Sequence, residues 1–171
     1  MTKNFSLTIL LLTISFLTVR SQQPIKIIPE PVSVTGGSGS FKLPKEIRIS
    51  APASTELAQT LKFLEQKLTT ATGNTVATTT DANAANISLE LVSGDQLGKE
   101  GYTLSVTPAK VFIKANNPAG LFYGIQSLLQ LLPPAIESKQ PVENVKWEIP
   151  VVEIKDQPKL SWRGLMLDVS R

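Results

Sequence analysis

The chain has 171 residues, of which 18% are charged, carries a formal net charge of +3, and contains neither histidine nor cysteine. Without those two residue types the common zinc sites, cysteine nucleophiles, Ser-His-Asp triads and disulfides are excluded. Lysine and arginine are scattered rather than clustered, which argues against nucleic acid as a partner, and no carboxylate motif for a metal stands out.

Residues 1–21 have the build of a secretory signal peptide. Lys3 gives a short positive start, Phe5–Val19 an apolar core, and Val19-Arg20-Ser21 a passable cleavage site before Gln22. The expectation is an exported protein, periplasmic or extracellular, with no stable membrane span once the leader is removed. An uncleaved anchor is the alternative, disfavoured because Thr and Ser interrupt a core shorter than the ~20 residues that a bilayer requires.

From Gln23 to Leu43 prolines punctuate extended segments. Ile25/Ile27, Val32/Val34 and Phe41/Leu43 alternate, with Gly36-Gly37-Ser38-Gly39 expected to form a turn or loop between them. Ile47 and Ile49 predict a short strand. The period then changes: Leu57, Leu61, Leu64 and Leu68 stand at helical offsets 0, 4, 7 and 11, Ser54 or Thr55 can cap, and Gly73 follows the end. Thr75–Asn86 reads as a weak strand and a loop. Ile87, Leu89 and Leu91 alternate with polar residues, Gly94–Gly101 is a polar loop, and Tyr102–Val106 with Val111–Ile113 form a hairpin about Pro108-Ala109-Lys110.

A second helix is predicted in Asn116–Pro134, with Asn117 as cap, Pro118 in the first turn and Pro133-Pro134 as the stop. Leu121, Ile125, Leu128 and Leu132 repeat the offsets of the first helix. Gly120, Gly124 and Ser127 form a stripe of small residues. Two helix-interior glycines cost roughly 1 kcal/mol each relative to alanine, so either another backbone approaches closely or the glycines are incidental. The first possibility predicts a helix packed between the sheet and a further layer. Together these elements predict an α+β fold, an antiparallel β-sheet with two α-helices on one face.

Val145–Ile154 is extended and Asp156-Gln157-Pro158 reads as a linker turn. Leu165–Val169 has the character of a buried strand, which needs partners for its backbone. It is therefore expected to open a second domain, leaving 22–155 as the α+β domain and 156–171 as the linker and first strand of the second.

WRGLMLDVSR, at residues 162–171, resembles the opening of the catalytic barrel of the β-N-acetylhexosaminidases of glycoside hydrolase family 20. AGLFYGIQSLLQLLP resembles the second helix of their accessory domain, and Ile28-Pro29-Glu30-Pro31 its entry; the match runs from about Ile27 to Arg171. The resemblance implies an accessory α+β domain covered by a (β/α)8 barrel, of which this chain holds a truncated start. It also implies removal of terminal N-acetylglucosamine or N-acetylgalactosamine from glycans with retention of configuration. In that substrate-assisted chemistry the sugar's own acetamido oxygen attacks the anomeric carbon, an aspartate orients it and a glutamic acid protonates the leaving oxygen, without metal or cofactor.

By the same resemblance Arg163 binds hydroxyls of the terminal sugar, while Asp168 and Arg171 support the site. The alternative for Arg163 is a structural ion pair with Asp168 or another acid. The family's catalytic residues are adjacent Asp and Glu, and this chain has no adjacent acidic pair, so no catalytic residue is assigned and the chain alone is expected to be inactive. The competing expectation is a noncatalytic secreted domain that binds a partner or glycan.

Overall fold

The computed structural model describes residues 25–94, 97–160 and 162–166. The predicted signal peptide, Asp168 and Arg171 lie outside the described residues. In chain order the elements are strands β1 (Ser33–Lys42) and β2 (Glu46–Ser50), helix α1 (Ala58–Thr72), β3 (Thr75–Thr79), β4 (Ile87–Leu91), β5 (Tyr102–Val106), β6 (Val111–Ala115), helix α2 (Pro118–Leu131) and β7 (Glu148–Asp156). Short 3-10 turns at Thr55–Leu57 and Pro134–Glu137 flank the helices.

The strands form a single sheet in the order β1-β7-β5-β6-β4-β2-β3. The α+β class with two helices stands, but the sheet is mixed rather than wholly antiparallel. The β5/β6 hairpin, β7 and β1 pair antiparallel, whereas β3, β2, β4 and β6 run parallel. The parallel half follows from connectivity, since α1 carries the chain back between β2 and β3. Alternation along each strand leaves one apolar face, on which Ile49, Ile87 and Val111 share a row and Leu89, Ile113, Leu104 and Ile154 another. These side chains are buried. The opposite face carries Glu90, Lys114, Thr103 and Lys155.

Two local expectations are corrected. Gly36–Gly39 is not a loop: β1 runs through it, with a β-bulge between Gly36 and Ser40 opposite β7. Asp156 ends β7 rather than opening a linker, and its carboxylate accepts a hydrogen bond from the Val32 N–H at 3.1 Å.

Both helices lie on the apolar face, side by side, with Phe63 of α1 and Phe122 of α2 at 6.1 Å between ring centroids. α1 buries Leu64, Leu68 and Ala71, and Gly73 ends it in the left-handed conformation, φ 70°. α2 starts at Pro118 after an extended Asn117, whose side chain makes no capping bond, and ends at Leu131, just ahead of Pro133-Pro134. Its small-residue stripe faces the sheet, not a second layer. A Cβ on Gly124 would lie 2.4 Å from Ile113 Cγ2, and one on Gly120 would lie 2.3 Å from the Gly101 carbonyl oxygen. The glycines thus let α2 settle onto β5 and β6, and Leu121, Ile125 and Leu128 become fully buried, worth roughly 1.5–3 kcal/mol each.

Candidate functional site

The β4–β5 loop, the first turns of α2 and the segment after β7 converge at one end of the sheet. Close packing fixes this meeting point. A Cβ on Gly101 would be 1.8 Å from the Leu97 carbonyl oxygen and 3.1 Å from that of Asp156, so only glycine fits. Leu97, read from sequence as part of a polar loop, is 2% exposed and anchors the loop. An open cleft of about 480 Å³ lies between Leu97–Gly101 and Gln157–Lys159.

Arg163 sits at this junction. Its Nη2 donates to Glu100 Oε2 at 2.9 Å and to the Tyr123 hydroxyl at 3.2 Å, and its Nη1 donates to the Leu160 carbonyl at 2.8 Å. The guanidinium carbon lies 5.8 Å from the Tyr123 ring centroid. Hydrogen bonding to Glu100 raises the Arg163 pKa above its already high ordinary value, so the group stays cationic. The sequence singled out Arg163 but neither of its side-chain partners. Glu100 sat unmarked in a polar loop, and Tyr123 lay off the apolar stripe of α2. Of the WRGLM residues, Trp162 is 82%, Leu165 86% and Met166 94% exposed, and none belongs to a strand.

Beneath α2 a second polar contact is sealed inside the core, where the Tyr102 hydroxyl pairs with Ser127 Oγ. Burial pushes the Tyr102 pKa up to about 12, against the lowering effect of the Ser127 bond and with a smaller contribution from Asp156. Glu153, on the open face, accepts a hydrogen bond from the Ser105 hydroxyl. Among the described residues no three acidic side chains gather as a metal would need, and no helix is long and apolar enough to cross a membrane.

A mixed seven-stranded sheet with two helices on one face and a clasped segment after β7 defines an α+β module. Residues 24–157 match the family model of glycosyl hydrolase family 20, domain 2, and the chain belongs to that family. It is 36% identical, over 86% of its length, to a beta-hexosaminidase of Porphyromonas gingivalis, and 32% identical over 85% to one of Vibrio vulnificus. Among solved structures, the Streptomyces plicatus N-acetyl-beta-hexosaminidase superposes with a TM-score of 0.80 at 37% identity, covering 90% of this chain. The beta-N-acetylhexosaminidase of Streptomyces coelicolor gives 0.78 at 36%, covering 85%. The chain spans only 19% and 15% of the two curated relatives, and 30% and 29% of the two solved chains.

Proposed function

We propose that this chain is the N-terminal part of an exported exo-β-N-acetylhexosaminidase. The complete protein would release terminal non-reducing N-acetylglucosamine or N-acetylgalactosamine from glycans by retaining, substrate-assisted catalysis. The observation that carries this reading is the 36% identity to a beta-hexosaminidase across 86% of the chain. Residues 1–21 would direct export, 22–155 would form the accessory domain, and 156–171 would lead into a (β/α)8 barrel. The glycan contacts and the Asp-Glu pair would come from that barrel, since no two acidic residues are adjacent here.

Arg163 has two roles to weigh. Its engagement with Glu100, Tyr123 and Leu160 supports the ion-pair role. Binding of sugar hydroxyls, which the family resemblance implies, would draw on its remaining donors or on release from Glu100. Asp168 and Arg171 are proposed to support the same site.

The test is turnover of a chromogenic N-acetyl-β-glucosaminide. The purified 171-residue chain should give none and the full-length product should be active; hydrolysis by the short chain would sink the division of labour. Removing Leu160–Arg171 should leave the remainder more soluble and no less stable. Unfolding on that deletion would make the tail part of the α+β domain and favour the noncatalytic binding module.

A further inference from the structure

The two outer strands of the sheet, β1 and β3, treat their free edges differently. β1 is broken by the bulge between Gly36 and Ser40 and ends at Lys42, features that discourage a further strand from pairing. β3 has neither. Its five residues, Thr75–Thr79, keep an unbroken register with β2 and include no charge, proline or glycine. Thr75, Ala77 and Thr78 are exposed. The Thr75 N–H donates to the Lys45 carbonyl at 3.0 Å. Parallel pairing uses alternate residues, so Thr75, Ala77 and Thr79 spend their backbone groups on β2, while Val76 and Thr78 turn theirs outward. Outward donors and acceptors on an uncharged edge are a template for another strand.

We propose that β3 is an interface for a second copy of this chain, paired antiparallel across a twofold axis at Ala77. The register follows from which groups point outward. Val76 and Thr78 of one copy exchange backbone hydrogen bonds with Thr78 and Val76 of the other, which sets Ala77 opposite Ala77 in a non-hydrogen-bonded pair. Strands come closest at such a pair, about 4.5 Å between Cα atoms, and a small side chain stands there. Thr75 meets Thr79, a favourable hydroxyl pair, and Val76 meets Thr78 on the helix side. No like charges are set face to face, because Glu46 and Arg48 on the neighbouring β2 are paired with each other at 2.8 Å. This self-complementarity favours a second copy over an unrelated strand. A ladder of five residues per copy falls below the roughly 1,200–2,000 Å² of stable interfaces, so the pair forms in a concentration-dependent equilibrium.

The experiment uses the full-length gene product, and none of its readouts depends on hydrolase activity. The mass found by sedimentation should rise from one copy toward two as concentration increases. Thr78→Pro deletes an outward N–H that β2 does not use, a place where an edge strand accepts proline. It should keep the unfolding midpoint of wild type and raise the dimer dissociation constant about tenfold or more. Ala77→Cys should cross-link two copies under mild oxidation, because Cα atoms about 4.5 Å apart are within disulfide reach and these 171 residues contain no other cysteine. Thr79→Cys, which faces Thr75 of the other copy, should not cross-link at the same concentration. A single copy at every concentration, with no cross-link in Ala77→Cys, overturns the proposal. So does a dimer that Thr78→Pro leaves intact, which places the interface elsewhere, or equal cross-linking in both cysteine variants, which marks chance collision. If Thr78→Pro fails to fold, the contrast between the two cysteine variants decides alone.

Discussion

Helices α1 and α2 carry leucines and isoleucine at the same offsets, yet they meet the sheet differently. α1 buries three side chains and presents Lys62 and Glu65 to solvent; α2 has no charged residue and buries seven positions, two of them glycines. The difference lies between the apolar positions, not at them. Where α2 has Gly120, Gly124 and Ser127, the corresponding positions of α1 and its leading turn hold Glu56, Thr60 and Phe63; the small residues let the axis of α2 come down onto β5 and β6. Apolar spacing alone therefore shows that a helix packs, and the residues flanking the stripe show how deeply.

The comparison breaks most visibly at the centre of α2. Leu128→Ala should cost about 2–5 kcal/mol, as expected for a fully buried leucine with little room to collapse. Leu61→Ala in α1, whose side chain is only half-buried, should cost less than half as much; urea unfolding midpoints at an unchanged m-value measure both. Gly120→Ala comes next. Alanine favours a helix by roughly 1 kcal/mol, but here its Cβ meets a backbone carbonyl that cannot rotate away. Overpacking of this kind costs about 1–3 kcal/mol, which exceeds that gain over most of its range, so the domain should be destabilised by up to about 2 kcal/mol. Glu65→Ala, on the water face of α1, should stay within about 0.5 kcal/mol of wild type.

The boundaries of α2 were legible because they are local: Pro118 and the two prolines at its end act on their own neighbours, although Asn117 makes no side-chain capping bond. The glycine stripe was legible as a demand for close approach, but not its partner, which is Ile113 and the Gly101 carbonyl on the sheet. Strand direction was not legible either. Nothing within β2 or β4 distinguishes parallel from antiparallel neighbours, since pairing depends on which elements intervene. Gly36–Gly39 read as a loop because the β7 backbone that holds it in a bulged strand lies more than a hundred residues away in sequence (Ser40 Oγ to Glu148 Oε2, separation 108). The junction shows the same limit. Arg163 was singled out by its motif, whereas its ion-pair partner stands 63 residues earlier in an unremarkable loop.

The polar contact under α2 extends the comparison to alkaline pH. In the folded chain the Tyr102 hydroxyl titrates near 12 because it is buried; in the unfolded chain it returns to about 10. Between those values the unfolded state has given up a proton that the folded state keeps. Stability from this group is therefore complete below about pH 10 and falls as pH rises through 12, by at most about 1.4 kcal/mol per pH unit. Tyr102→Phe removes both the titration and the bond to Ser127, costing on the order of 1 kcal/mol at neutral pH. The stability gap between wild type and the variant should shrink from pH 10 upward and close or reverse before pH 12. Every other group is common to the two proteins and cancels, so a constant gap would mean that Tyr102 is not shielded as the packing of α2 implies.

Another small effect lies at the seam where the two helices touch. Phe63 and Phe122 meet tilted at 48°, an arrangement in which ring edge and ring face attract by about 0.5–1.5 kcal/mol beyond area burial. Phe122 remains 38% exposed, which places this pair at the low end of that range. Phe63→Leu and Phe122→Leu should each weaken the domain modestly, and their double variant should fall short of additivity by about 0.5 kcal/mol. Strict additivity would show that α1 and α2 hold to the sheet independently. A coupling above about 1 kcal/mol would show the reverse, that α1 depends on the seating of α2 for its own place, and Gly120→Ala should then loosen exchange in α1 as well.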